Sequence, residues 1–429
     1  MMMQRCSSRL KSRRRSKEEY NFSDDILIEI LKRLPIKSLV RCSLVCKSWF
    51  TLLTSNAFIS THVEFNAQNL YLFKDSTYIR HDNVFTHFQI YDGKIVSNMF
   101  ETGYMRSPFS RKHFLVSSLN GLLCLFDFYS PNPRISPLIL WNPSIFKAIA
   151  VSVPDLGDVS FTSGGFPKLI FGLGFYSYSN NYKNDYMIIR VAYSNSGTGD
   201  LICTNFRVGL YSINKGEWKS LEMKSFPHYI TTIRWRGLYL NGVIHWICNV
   251  GVNRDGCDEI YRLILTFNLE DESFGEIELP KEVVDVTNQT LRVVMVPLDG
   301  KEVLGVVHVK VVFNLWVMKS YGEKNSWVNL FNINFDSGIM NDMNVAILDD
   351  HVVVKTYGGW ISYDRKKKEM CNLNKIRPCC DYVDTLVANL ILIGPRKGIF
   401  PSLIVHQRDQ IARPSGRRGR RGRGRARAM

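Results

Sequence analysis

The sequence predicts a small all-α module near the N-terminus, a long all-β body of propeller type, and disordered basic tails at both ends. Three observations predict it. Apolar residues between 22 and 60 repeat at helical spacing and stop at a proline. From about Phe65 to Leu392, short apolar or alternating runs are separated by Gly, Asn, Asp and Pro, which is strand-and-turn texture. The charge excess is confined to the two ends.

Of the 429 residues, 45% are hydrophobic and 22% charged, which excludes a wholly disordered chain. The net charge of +16 is uneven: residues 1–19 carry +5, residues 406–429 carry +8, and the body between them is nearly neutral. The front tail holds Lys11-Ser12-Arg13-Arg14-Arg15-Ser16-Lys17, and the rear tail runs Arg417-Arg418-Gly419-Arg420-Arg421-Gly422-Arg423-Gly424-Arg425. Neither can bury apolar surface, and like charges repel, so both are expected to be disordered. Arginine suits phosphate, yet no aromatic residue is interleaved to stack bases. The tails are therefore expected to be solvated, with weak, salt-sensitive affinity for polyanions; RNA binding and nuclear import are the sharper alternatives.

No run approaches the ~18 apolar residues of a membrane span; the best, Leu386 to Ile393, is short and contains Asn389. No secretory signal precedes the helices. The ten cysteines are scattered from Cys6 to Cys380 with no CxxC pair and no Cys/His ligand pattern. They read as small buried hydrophobes in a reducing compartment, cytoplasmic and/or nuclear.

In the helical module, Ser23 is placed to cap a helix, with Asp24 and Asp25 in its first turn, where the helix dipole favours negative charge. Ile26, Ile30 and Leu34, with Leu27 and Leu31 beside them, make one apolar stripe before Pro35. A second run starts near Lys37 with Leu39, Val40 and Leu44, and a third holds Val45, Trp49, Leu52 and Leu53. Three helices in about 40 residues are too small to bury this surface among themselves, so part of it is expected to meet another protein or the rest of the chain.

The stretch Asp24-Asp25-Ile26-Leu27-Ile28 through Glu29-Ile30-Leu31-Lys32-Arg33-Leu34-Pro35-Ile36-Lys37-Ser38-Leu39-Val40-Arg41 to Val45-Cys46-Lys47-Ser48-Trp49 resembles an F-box. The resemblance implies docking on a Skp-type adaptor within an SCF (cullin–RING) ubiquitin ligase, through Phe22, Ile26, Ile30, Leu34, Pro35, Ile36, Leu39, Val40, Val45 and Trp49. The family usually opens with Leu-Pro; here those positions are Phe22-Ser23, which implies weaker docking. Leu34, Pro35 and Ile36, at the helix-breaking corner, are read as interface, whereas Trp49 and Leu44 fit interface and core equally.

In the body, Gly121-Leu122-Leu123-Cys124-Leu125-Phe126, Tyr186-Met187-Ile188-Ile189-Arg190-Val191, Gly242-Val243-Ile244-His245-Trp246-Ile247 and His351-Val352-Val353-Val354-Lys355 read as strands. Long helical periodicity is missing, which argues against a parallel α/β sheet. A weak repeat places large residues at Phe146, Trp218, Phe274, Trp327 and Met370, spaced 72, 56, 53 and 43 apart. Propeller blades repeat at about 40–50 residues, and residues 65–395 have room for about seven of them.

This body resembles the plant F-box-associated domain of type 1. The resemblance is carried by Ser118-Leu119-Asn120-Gly121, Leu140-Trp141-Asn142-Pro143-Ser144, Phe171-Gly172-Leu173-Gly174-Phe175, Val208-Gly209-Leu210-Tyr211-Ser212 and Leu240-Asn241-Gly242-Val243-Ile244-His245-Trp246. Ile264-Leu265-Thr266-Phe267-Asn268-Leu269 and a closing Tyr382-Val383-Asp384-Thr385-Leu386-Val387 complete it. It implies a kelch-like β-propeller that recruits a target protein. The expected organisation is a tail at 1–19, the F-box at 20–62, the propeller at 63–395 and a second tail at 396–429.

Catalytic motifs are missing. Ser163-Gly164-Gly165 and Gly172-Leu173-Gly174 lack a following GK[ST] and read as turns. Asp349-Asp350-His351 reads as a hairpin turn rather than a metal corner, and His245 as a satisfied core or inter-blade histidine rather than a base. The expectation is a non-catalytic receptor without cofactor, metal or membrane, holding a target protein for ubiquitination and degradation. A polyanion- or RNA-binding protein acting through its tails is the alternative. A glycosidase would need convergent carboxylates, which a sequence does not display.

Overall fold

The computed structural model describes residues 23–66, 70–75, 84–91, 94–97, 105–106, most of 113–372, and 382–384. For 70–106 and 382–384 the description is of the backbone. The expected tails, Phe22, Phe146 and the Ser163-Gly164-Gly165 stretch lie outside the described residues.

Among the described residues, four helices come first rather than three: α1 (Asp24–Leu31), α2 (Ile36–Cys42), α3 (Lys47–Leu53) and α4 (Asn56–Asn66). Ser23 stands at the N-cap of α1 and its carbonyl accepts from the Leu27 N–H at 3.1 Å, but its hydroxyl makes no capping bond. Tight bonds from Arg33 to Ile30 and from Leu34 to Leu31 close the turn before Pro35. Pro35 caps α2, its carbonyl accepting from Ser38 and Leu39. The fourth helix escaped the sequence reading because its apolar residues make no sustained stripe. It runs across the expected boundary at 62.

The strands follow in antiparallel meanders. A first sheet takes β1 (Leu70–Asp75), β2 (Val84–Tyr91), β3 (Lys94–Ser97) and β4 (Met105–Arg106). A second has β5 (Phe114–Leu119), β6 (Leu122–Phe126), β7 (Leu138–Asn142) and β8 (Lys147–Val151). A third has β9 (Leu169–Tyr176), β10 (Asp185–Ser196), β11 (Cys203–Ser212) and β12 (Glu217–Glu222). The fourth comprises β13 (Tyr229–Ile233), β14 (Leu238–Leu240), β15 (Val243–Arg254), β16 (Cys257–Asn268) and β17 (Ser273–Glu278). After a one-turn helix α5 (Lys281–Val284), the fifth has β18 (Thr290–Leu298), β19 (Lys301–Val309), β20 (Phe313–Met318) and β21 (Trp327–Ile333). The sixth has β22 (Val345–Ile347), β23 (His351–Thr356), β24 (Gly359–Asp364) and β25 (Glu369–Asn372).

The last strand, β26 (Tyr382–Asp384), returns to the first sheet and pairs antiparallel with β1, Tyr71 opposite Asp384 and Phe73 opposite Tyr382. The innermost strands touch in succession: β5 with β9, β9 with β14, β14 with β18, β18 with β22, and β22 with β26. A parallel bridge between Phe171 and Arg236 fixes their common direction between the third and fourth sheets. This is an all-β propeller. Five of its sheets are each made of consecutive strands, and the remaining one is stitched from the two ends of the body, which removes a free inner edge.

Among the described residues six sheets stand where room for about seven blades was expected. Long strands such as β10, β15 and β16, and long connections, take more chain per blade than a 40–50 residue period. The 72-residue spacing between the first two anchors is thus a single blade. The repeat itself has a structural meaning. Trp218, Phe274, Trp327 and Met370 each occupy the first or second position of the outermost strand of their sheet.

Two of these anchors latch onto the preceding sheet: the Trp218 indole N–H donates to the Ser152 carbonyl at 2.6 Å, and that of Trp327 to the Glu278 carbonyl at 2.9 Å. Phe274 packs instead on Phe206, ring centres 4.3 Å apart. Gly209 leaves room for the Trp218 ring, since a Cβ there would stand 3.0 Å from it. Replacing Trp327 by Phe keeps the packing and removes the latch. The expected loss is about 1 kcal/mol, read as an earlier denaturant midpoint with unchanged slope; a variant as stable as the parent would show that the latch contributes nothing.

Asn120-Gly121, Asn241-Gly242 and Asp299-Gly300 all have positive φ and join innermost to second strands as two-residue hairpins. Gly172 and Gly174, expected in a turn, lie instead within β9. They are glycines because the fourth sheet presses on this strand: a Cβ on Gly172 would stand 2.6 Å from Ile244 and one on Gly174 2.4 Å from Leu269. Hydrophobic clusters fill the seams. One joins the second and third sheets through Phe126, Leu140, Phe171 and Ile188. Others join the third to the fourth through Ile189, Trp246 and Phe267, the fourth to the fifth through Ile247, Ile264 and Val306, and the fifth to the sixth through Val307, Leu315 and Val352. Each sheet buries its faces by stacking on its neighbours.

Candidate adaptor-docking module

The helical module has its own core: Leu31, Ile36, Leu39, Leu53 and Phe58 are buried, with Leu27, Leu34, Cys42, Trp49 and Ile59 packed partly against them. The helix α4 returns beneath the Leu34–Ile36 corner. His62, buried in α4, brings its Nε2 to 3.4 Å from the Leu34 carbonyl, and burial pushes its pKa below the usual range. At this same C-terminal end of α1, Lys32 and Arg33 stand over the Phe65 ring at 5.3 and 5.7 Å. Ile59 also packs against the cluster between the second and third sheets, so α4 joins the module to the propeller.

The structure corrects part of the expected interface. Ile36 and Leu39 face inward, Leu39 completely, so neither offers surface to another protein. They lie three apart on a short helix and share one side with Leu31, Leu53 and Phe58. Leu34 and Trp49 are half-buried against the same core. Ile26, Ile30, Pro35, Val40 and Val45 are exposed. Leu44, which the sequence left between core and interface, is the most exposed large apolar residue among those described, at 80%, and Phe50, which the sequence reading passed over, is 51% exposed. Ile26 and Ile30 line a shallow groove with Asp25, Glu29 and Arg33, where Glu29 pairs with Lys32 and Arg33. Leu44 and Val45 sit in the turn between α2 and α3, whose N-cap is the Cys46 sulfur, accepting from the Trp49 N–H at 3.5 Å. A soluble surface rarely presents so many large apolar groups together unless something covers them.

A small helical unit with exposed apolar residues, fused to a succession of antiparallel sheets whose last strand pairs with the first, is the arrangement to which the family comparisons correspond. Residues 20–61 match the F-box domain, and residues 112–387, more than half of the chain, match the F-box associated beta propeller domain. The chain belongs to the F-box-associated β-propeller family. Similar proteins include F-box protein CPR1 of Arabidopsis thaliana, 26% identical over 392 residues covering 86% of this chain and 88% of that one. Another is F-box protein At3g07870 of the same plant, 27% identical over 330 residues and covering 72% of each.

In this F-box-associated propeller the sequence motifs serve architecture. Trp141 and Asn142 are buried, as their packing role required. His245 is buried between sheets, its Nδ1 donating to the Leu238 carbonyl at 3.1 Å and its Nε2 accepting from the Tyr321 hydroxyl of the fifth sheet at 2.8 Å. Asp350 and His351 form a turn and strand start: the Asp350 carbonyl accepts from the Arg365 N–H at 2.7 Å and its carboxylate pairs with Lys366. Among the described residues, no group of three or more His, Cys, Asp or Glu is placed to hold a metal ion, and no helix is long and apolar enough to cross a membrane.

Burial pushes the His245 pKa down to about 4 from its usual 6.5. The unfolded imidazole therefore takes up a proton as pH falls through 6.5 while the folded one stays neutral. Its stabilising contribution is complete above that pH, declines through the window, and is gone below about 4, a change of about 3 kcal/mol. Asp185, which burial pushes upward, titrates with the opposite sign. His245→Asn should thus flatten the fall of the thermal midpoint between neutral pH and pH 4 relative to the parent. Parallel curves for the two proteins would refute the assignment.

Proposed function

We propose that this chain is the substrate-recognition subunit of an SCF-type cullin–RING ubiquitin ligase. The observation that carries the reading is the pairing, in one chain, of an F-box whose apolar face is left open with an F-box-associated propeller. The F-box docks on a Skp-type adaptor through Ile26, Ile30, Pro35, Val40, Leu44, Val45 and Phe50, and the propeller holds the target protein. The chain supplies proximity and no covalent chemistry: the target's lysines are held at high effective concentration beside a separate conjugating enzyme, and the modified target goes to degradation. Such a subunit works in the cytoplasm or nucleus.

The test is co-expression with a Skp-type adaptor followed by size exclusion. A stoichiometric complex supports the reading, and a chain that elutes alone removes it. The arginine-rich segment 406–429 adds at most weak, salt-sensitive polyanion affinity. Its deletion leaves adaptor binding intact, and abolishes RNA retention if the tail-driven alternative holds.

A further inference from the structure

The first turn of α1 carries a hydroxyl that the fold does not use. Ser23 stands before the helix with φ −59° and ψ 144°, the extended posture from which a serine normally turns its hydroxyl onto the free N–H groups of the first turn. Here it makes no such bond, and the residue is exposed. Only its carbonyl serves the helix, accepting from the Leu27 N–H at 3.1 Å. Asp24, Asp25 and Ile26 are exposed as well, and the module's core takes hold of the helix from Leu27 onward. This turn opens without disturbing the core, which gives an enzyme access to the hydroxyl.

The surrounding sequence is acidic. Ser23 is followed directly by Asp24 and Asp25 and preceded by Glu18 and Glu19. The serines of the front tail, Ser7, Ser8, Ser12 and Ser16, sit instead beside arginine and lysine. An enzyme with a positively charged substrate groove therefore selects Ser23 and passes over the tail.

The same hydroxyl heads the exposed apolar stripe. At about 3.6 residues per turn, Ser23, Ile26 and Ile30 fall within about 60° on one side of the helix. Ile26 and Ile30 line the shallow groove with Asp25, Glu29 and Arg33. A phosphate on Ser23 brings a charge of about −1.5 to −2 to the end of this groove, beside two aspartates. The basic residues Lys32 and Arg33 lie more than two turns away and pair with Glu29. Such a dianion is at ease in water. Beneath a partner seated on Ile26 and Ile30 it loses that water and gains no counter-charge from α1.

We propose that Ser23 is a phosphorylation site for a serine kinase that selects acidic flanks, and that the phosphate releases the adaptor. The Ser23 oxygen attacks the γ-phosphorus of ATP; the new O–P bond forms as the bond from that phosphorus to ADP breaks, and the hydroxyl proton passes to the kinase's base. The assignment rests on the receptor reading above and names its regulation.

The test treats the purified full chain with a purified acidophilic serine kinase and MgATP, then digests it with trypsin. Cleavage after Lys17 and Lys32 gives the peptide 18–32, in which Ser23 is the sole serine and no threonine occurs, so phosphoserine there is assigned without ambiguity. Asp24→Asn combined with Asp25→Asn should slow this phosphorylation about tenfold. Titration with a purified Skp-type adaptor should show the phosphorylated chain binding about tenfold more weakly or worse, and a phosphatase should restore the affinity. Ser23→Ala should bind like the untreated parent before and after exposure to the kinase. Its side chain is exposed and caps nothing, so this variant is expected to fold, and thermal unfolding checks every sample.

No phosphate on peptide 18–32, an undiminished rate in the double asparagine variant, or a phosphate that leaves affinity unchanged or raises it would overturn the proposal. So would a Ser23→Ala chain that loses the adaptor after kinase treatment as the parent does. An untreated parent that binds no adaptor would sink the receptor reading and the release step with it. An untreated parent that binds, with a modified chain that binds equally well, would sink this switch alone.

Discussion

Aspartate at Leu44 together with aspartate at Phe50 is expected to abolish co-purification of a Skp-type adaptor while leaving the chain folded. Both side chains point away from the module's own core, at 80% and 51% exposure, so a charge there costs the free protein little. Large apolar anchors at the centre of an interface are worth about 2–4 kcal/mol each, so the pair should lower affinity by a thousandfold or more, roughly. A titration of purified adaptor against the double variant measures this, and affinity within a few-fold of the parent would remove these residues from the interface. Leu39→Asp is uninformative by contrast. Its side chain is wholly buried, so loss of binding would report an unfolded module.

The second large effect is expected at Trp246, which is completely buried in the seam between the third and fourth sheets. Its indole N–H donates to the Phe171 carbonyl at 2.9 Å, and Gly237 yields the space, since a Cβ there would stand 2.7 Å from the indole nitrogen. Trp246→Ala should cost about 3–5 kcal/mol through lost burial and the cavity left behind. Trp246→Phe should cost less, because most of the ring volume remains and only the hydrogen bond goes. Urea denaturation reads both. An alanine variant within 1 kcal/mol, roughly, of the parent would mean that this seam does not hold the neighbouring sheets together.

The parts of this structure legible in the sequence are those written in local patterns. The helical stripe and Pro35 announced the first two helices, and the Gly and Asn residues between short apolar runs announced turns of the kind found at Asn120 and Asn241. The recurring large residue turned out to mark outermost strands. What stayed hidden depended on tertiary neighbours. Gly172 and Gly174 look like turn residues until Ile244 and Leu269 are seen pressing on them. Ile36 and Leu39 look like interface until α4 brings Phe58 over them.

The handshake between Tyr71 and Asp384 also governs how the protein is made. The strand that shuts the ring leaves the ribosome after every other blade. Until it does, the nascent chain carries a helical docking unit and an incomplete circle, whose unpaired β1 backbone is open to pairing with other chains. A message truncated before Tyr382 would yield a polypeptide able to engage its adaptor yet prone to aggregate, a natural client for chaperones.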